Sequence, residues 1–256
     1  MTTAPVAPPT ARRTPLGYDA LMRLAATEYD RVIAVLRALP DDAWGRPSGN
    51  PGWDVRDLAA HLLGMAELAA SMREQVRQLR LAKRAGGELV DGLTALQVRE
   101  RAAMTPAQII ERFAEVAPRA VAGRRRLPGF LRGRAMPGPQ PVGGKPDSPH
   151  ERWTLGYFVG VILTRDPWMH RTELSAAGGV PLELTADHDG VIVADIAQEW
   201  AGRHGQPCTL VLTGPAGGSW TWGTGGPTHE LDAVEFCRLL SGRGEADGLL
   251  RTEVPF

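Results

Sequence analysis

Apolar residues recur every three or four positions over long stretches of the chain, the signature of amphipathic helices packed into a bundle. Leu21, Ala25, Tyr29, Val32, Leu36 and Leu39 predict a first helix from about Tyr18 to Leu39, ended by Pro40. Asp54 suits the start of a second helix, with Asp57 in its first turn. A side-chain oxygen there accepts from free backbone N–H groups, and acids favour the positive end of the helix dipole. Val55, Leu58, Leu62, Met65, Ala69, Met72, Val76 and Leu79 then alternate steps of three and four, reading as one face of a single long helix. A shorter helix is expected over residues 91–104. Thr105 followed by Pro106 marks a third bundle helix, carrying Ile109, Ile110, Phe113 and Val116, with Pro118 as an interruption. A Pro/Gly-rich loop covers residues 128–149. The fourth bundle helix is expected from near Glu151, through Leu155, Val159 and Ile162, to a stop at Gly178-Gly179.

Beyond about residue 180 the pattern changes. Residues 187–204 read as a helix, the run Cys208 to Thr213 as a short buried strand, and Ser219 to Trp222 as its hairpin partner. Asp232 with Glu235 predicts a capping box for a helix through Leu240. The expected organisation is a disordered tail over residues 1–15, a helix bundle over 16–180 and a small α+β C-terminal domain over 181–256.

Composition narrows the partners. No segment approaches the ~18 apolar residues of a membrane span, and the N-terminus has no apolar signal region, so a cytoplasmic protein is expected. The 29 basic and 29 acidic residues balance, giving no global attraction to nucleic acid or anionic lipid. Arg124, Arg125, Arg126, Arg132 and Arg134 cluster around the Pro/Gly loop; a nucleic-acid patch would want several interleaved aromatics and a net basic domain, so they read as a solvated loop. Only Lys83 and Lys145 are lysines, a bias of GC-rich genomes. Cys208 and Cys237 form no CxxC pair and read as reduced core thiols. A monomer is expected.

Candidate chemistry lies on the fourth helix. Its apolar stripe continues by steps of four to Asp166 and His170, which places a carboxylate and an imidazole on the bundle-facing side, one turn apart. Burying them without partners is costly. On the second helix, His61 sits beside the Leu58–Leu62–Met65 stripe. Bundle cores build metal sites from facing helices in this way, and three protein ligands leave a fourth position open, as in catalytic zinc sites. An internal Asp166–His170 ion pair with His61 nearby is the alternative that spacing alone leaves open. Pro167 removes a helical N–H and is expected to kink the helix at the site. His150, His188, His204 and His229 show no ligand spacing and read as surface residues. Trp53, Trp153 and Trp168 read as packing residues.

The stretches Gly52-Trp53-Asp54-Val55-Arg56-Asp57-Leu58-Ala59-Ala60-His61-Leu62-Leu63-Gly64 and Arg165-Asp166-Pro167-Trp168-Met169-His170-Arg171 resemble the second-helix and fourth-helix motifs of the DinB-like, mycothiol-dependent maleylpyruvate isomerase family. The resemblance continues more loosely through Leu210-Val211-Leu212-Thr213-Gly214, the Trp220 region and Phe236 to Arg243, covering nearly everything from residue 16 onward. It implies an antiparallel four-helix bundle with a divalent metal, usually zinc, held by His61, Asp166 and His170. It also implies mycothiol, an actinobacterial thiol, as co-substrate, which the arginine-rich, lysine-poor composition suits. An arginine of the C-terminal domain, by position Arg243, is implied to reach the site and hold a substrate carboxylate. The isomerases of the family carry glutamate where this chain has Asp166, one methylene shorter, which puts the exact reaction in doubt. The expected function is a metal-dependent thiol transferase or isomerase acting on a small electrophile. A metal-dependent hydrolase on the same bundle and a non-catalytic metal- or ligand-binding module are the alternatives.

Overall fold

The computed structural model describes residues 14–143 and 148–256, so the expected tail lies, for residues 1–13, outside the described residues. Four helices form an antiparallel bundle: α1 (Tyr18–Ala38), α2 (Val55–Ala70), α5 (Pro106–Arg125) and a fourth that opens with α7 (Leu155–Tyr157) and continues as α8 (Leu163–Gly178). Their shared core holds Tyr29, Val32 and Leu36 of α1, Leu58 and Leu62 of α2, Phe113 and Val116 of α5, and Leu174 of α8. Tyr29 and Phe113 meet edge to face at 5.7 Å. Asp54 caps α2 through a reciprocal capping box with Asp57, and Thr105 caps α5 in the same manner with Gln108. α5 runs uninterrupted through Pro118. Among the described residues no helix is long and apolar enough to cross a membrane.

The long second helix divides in two. At Ser71 the backbone turns extended (φ −145°, ψ 121°), and its side chain accepts from Glu74 N to start α3 (Met72–Ala85). α3 and α4 (Leu89–Arg101) form a hairpin that follows α2 in the chain and packs against it, while α2 and α5 pack directly on each other. The apolar spacing persists across the break, but its far end leaves the core: Met72 is 75% exposed.

The fourth helix begins at Leu155, capped by Thr154, later than the expected Glu151. Its irregularity lies not at Pro167 but one turn earlier, where Phe158–Ile162 widen into a π-helical turn. Pro167 has no N–H for the carbonyl of Leu163, four residues back, and a side chain from another helix takes that place. Arg124 Nη1 donates to Leu163 O at 2.8 Å, and Nη2 donates to Thr164 Oγ1 at 2.6 Å and Gly160 O at 3.2 Å. Arg124 is therefore buried, not part of a solvated loop. Arg132 lies over the Tyr18 ring at 3.6 Å, while Arg125, Arg126 and Arg134 are exposed as expected. The intervening loop contains the short helix α6 (Gly129–Arg132) and a pairing of β1 (Gln140–Pro141) with β2 (His150–Glu151).

The C-terminal part comprises α9 (Asp189–His204), a three-stranded sheet and α10 (Ala233–Leu240). β3 (Cys208–Thr213) is central, antiparallel to β4 (Gly218–Trp222) and parallel to β5 (Thr228–Asp232). Asp232 Oδ1 accepts from Val234 N and Glu235 N to start α10. The core of this part includes Trp168 and Met169 of α8 together with Trp200, Leu210 and Phe236. α8 thus lies between two cores, and the C-terminal part packs directly on the helix that carries Asp166 and His170.

Candidate metal centre

His61 of α2 and Asp166 and His170 of α8 converge, each offering a ligand atom within 4.8 Å of the others. His61 Nε2 lies 3.6 Å and His170 Nε2 3.3 Å from the same oxygen, Asp166 Oδ1. The imidazole rings stand nearly perpendicular, 5.4 Å apart, and Trp53 covers the other side of His61 at 5.5 Å.

The remaining nitrogens are fixed by partners that residue spacing did not single out. His61 Nδ1 lies 2.9 Å from Gln97 Oε1 of α4, and His170 Nδ1 lies 2.6 Å from Glu173 Oε2. Each partner oxygen can accept an Nδ1–H, so the proton that a bound ion would displace is the one on Nε2, which faces the other ligand atoms. Gln97 is locked in turn: its Nε2 donates to Gln78 Oε1 at 2.9 Å, and Gln78 Nε2 donates to Glu74 Oε1 at 2.9 Å. Gly64 makes the approach feasible, since a Cβ there would sit 2.5 Å from Gln97 Cγ. Glu173 also accepts from Asn50 Nδ2 at 2.8 Å and from Arg243 Nε. The His170-x-x-Glu173 spacing was legible as one face of a helix; nothing in the sequence pointed to Gln97.

Burial opposes charge on Asp166, but His170 and His61 outweigh it and hold the carboxyl well below the usual range. Burial likewise lowers the His170 imidazole, yet Asp166 and Glu173 prevail and hold it near 9. Glu173 is driven down to about 2, burial being overcome by His170, Arg243 and Asn50. The pocket therefore concentrates negative charge on two imidazoles, the field a divalent cation would satisfy.

The donor set fits such an ion. Two imidazole nitrogens and one carboxylate oxygen are ordinary zinc ligands, and arms of ~2.0–2.1 Å about a tetrahedral ion put donors roughly 3.3–3.4 Å apart. The observed 3.3 and 3.6 Å lie close to that spacing. A second cluster of the same residue types, Glu28, His188 and Asp189, does not fit. Arg171 bridges its carboxylates, donating to Glu28 at 2.7 Å and to Asp189 at 2.5 Å. His188 Nε2 meets Glu28 at 2.8 Å, and Arg31, Trp168 and Thr185 N donate to Asp189. Its carboxylate oxygens are already committed to cations and N–H donors. His188 is accordingly buried, contrary to its reading as a surface residue.

A cavity of about 1060 Å³ opens over His61, Asp166 and His170. Its walls come from α2, the α3–α4 hairpin, the 127–143 segment and α7–α8, and include Trp53, Met65, Leu93, Trp153 and Val159; Ser241, Arg243 and Phe256 extend the C-terminal part to it. Arg243 meets Glu173 rather than the three converging side chains themselves. Cys208 and Cys237 are buried in the C-terminal core, and burial pushes the Cys237 thiol far up, which removes it as a nucleophile.

Residues 25–175 match a family model described as the mycothiol maleylpyruvate isomerase N-terminal domain. Uncharacterised proteins from two strains of Mycobacterium tuberculosis are each 24% identical over 231 residues, covering 84% of this chain and 82% of theirs. The crystal structure of a mycothiol-dependent maleylpyruvate isomerase aligns with a TM-score of 0.56 at 15% identity over 90% of both chains. That of a single-site variant aligns at 0.55 and 14%, again over 90% of both. At these identities the likeness establishes the fold.

Proposed function

We propose, from the premise that the chain belongs to the mycothiol maleylpyruvate isomerase N-terminal domain family, that it is a metal-dependent enzyme joining a low-molecular-weight thiol, mycothiol, to an electrophilic carbon. The observation that carries this reading is the convergence of two imidazole Nε2 atoms and one carboxylate oxygen at a cavity floor, each imidazole held in the ligating tautomer by its own acceptor. His61, Asp166 and His170 would hold the ion, most reasonably zinc. A bound divalent ion supplies the positive charge that keeps a thiol deprotonated at neutral pH.

The chain's own residues do the rest. Gln97 and Glu173 orient the imidazoles. Arg243 offsets the charge of Glu173, and its terminal amino groups hydrogen-bond to no described residue, which suits them to one substrate carboxylate. The apolar walls keep out water that would compete as nucleophile. In a transferase, the thiolate sulfur bonds to the electrophilic carbon, the electron pair of the double bond takes a proton, and the adduct leaves. In an isomerase, the adduct turns about the former double bond and expels the thiolate, which restores the double bond. Asp166 in place of the isomerases' glutamate favours the broader term, thiol transferase or isomerase, over maleylpyruvate isomerase.

The test is metal analysis of the purified protein, then incubation with mycothiol and a panel of electrophiles read by mass spectrometry. About one divalent ion per chain and mycothiol-dependent conjugates or isomers are expected. Turnover that is equal without mycothiol would replace this reading with a hydrolase in which water is the nucleophile.

A further inference from the structure

The cavity above the candidate centre is large and mostly hydrocarbon, and this bears on which electrophile enters it. At about 1060 Å³ it reaches the upper end of small-molecule sites. A short dicarboxylate would leave most of that space as water against Met65, Leu68, Leu93, Leu131, Phe158 and Val159, surface that gains by being covered. The cationic groups point the same way. Three arginines line the cavity. The amino groups of Arg124 are taken up by Leu163 O, Gly160 O and Thr164, Arg126 is exposed, and Arg243 already faces Glu173. Among the described residues, Arg243 is thus the one lining arginine that is neither exposed nor spent on carbonyl oxygens. The apolar character also continues outward along the α3–α4 hairpin, where Met72, Leu89 and Val90 line the cavity and remain exposed at 75%, 44% and 44%.

We infer that the electrophile is amphipathic: an extended alkyl or aryl body lies along the apolar walls of α2, the α3–α4 hairpin and the Phe158–Ile162 turn, and at most one charged group is held near Arg243. This rests on the thiol chemistry above for the reaction and on the cavity for the substrate class.

The experiment measures binding of unreactive probes to the full chain, by quenching of the emission of Trp53 and Trp153, both in the lining. Hexanoate, octanoate and decanoate are compared with succinate. Affinity is expected to rise about threefold to fourfold per added methylene, with succinate silent over the same concentrations. Val159→Asp, which puts a charge on the wall, is expected to weaken decanoate at least tenfold without loss of bound metal. A chain-length series that is flat, or succinate binding as tightly as decanoate, overturns the inference, and neither measurement depends on the variant folding. Because no thiol or turnover enters, the two readings fail separately. Thiol conjugation confined to short dicarboxylates would also overturn the substrate class while leaving the thiol chemistry standing.

Discussion

Replacing Gln97 with leucine removes the group that holds His61 in its ligating tautomer. Gln97 is fully buried, its Oε1 lies 2.9 Å from His61 Nδ1, and its Nε2 donates to Gln78. Leucine has similar bulk but no acceptor, so nothing favours the proton on Nδ1, and a ring protonated on Nε2 cannot ligate. Loss of such an outer partner costs 10–100-fold in metal affinity, or about 1.4–2.7 kcal/mol. Leucine also orphans the buried Gln78 Oε1, at about 1–3 kcal/mol of stability. Gln97→Glu separates the two effects: it keeps an acceptor for His61 but removes the donor to Gln78. Metal affinity by competition with a chromophoric chelator, and Tm on the metal-free proteins, should show Gln97→Leu weak in both and Gln97→Glu weak only in stability. A Gln97→Leu protein whose metal affinity stays within twofold of the parent would refute the argument.

Other consequences are as direct. His61→Ala and His170→Ala should each lose the bound ion in metal analysis, and full metal content in both would show the ligand assignment to be wrong. Arg124→Met should strip the buried Leu163 carbonyl of its side-chain donor and leave Gly160 O to Thr164 Oγ1, destabilising the chain by about 1–3 kcal/mol in denaturant unfolding. An unchanged midpoint would show that the proline and the π-turn need no outside donor. Burial opposes charge on Glu199, but Arg165 and Arg203 hold its pKa below the ordinary carboxylate value. A depressed folded pKa gives stabilisation that is present above the ordinary value and lost as pH falls through the folded one. Glu199→Gln should therefore cost about 3 kcal/mol near neutrality and progressively less in acid; a pH-independent difference in Tm profiles would contradict the sign.

What sequence could reveal follows from how local each signal is. The bundle helices showed themselves because their cores repeat at helical spacing, and His61, Asp166 and His170 sat on or beside those stripes. The break at Ser71 did not disturb that spacing, yet Ser71-x-x-Glu74 is a capping signature that competed with it and prevailed. β5 escaped notice because its residues alternate between exposed and half-buried, so no apolar pattern marks a strand that pairs in parallel with β3. Arg124 is a different case. Its role depends on Pro167 forty-odd residues away, and only folding brings the missing N–H and the spare donors together.

The two histidine–carboxylate clusters show why residue type alone does not define a site. Both are buried, both combine imidazole with carboxylate, and α8 serves both: Asp166 and His170 on one face, Arg171 on the other. In the Glu28–His188–Asp189 cluster, Arg171 and Arg31 lie among the carboxylates, so the negative charge is neutralised by fixed cations of the chain. A bound metal ion would have to displace them at the cost of leaving guanidinium groups buried and unpaired. Among the described residues no arginine pairs with Asp166. Arg243 is directed to Glu173, behind His170, so it steadies the outer partner while Asp166 Oδ1 faces the two imidazoles. The helix that joins the two cores thus separates a charge cluster closed by arginines from one left for an external cation, and the difference lies in where the arginines fall rather than in the histidines.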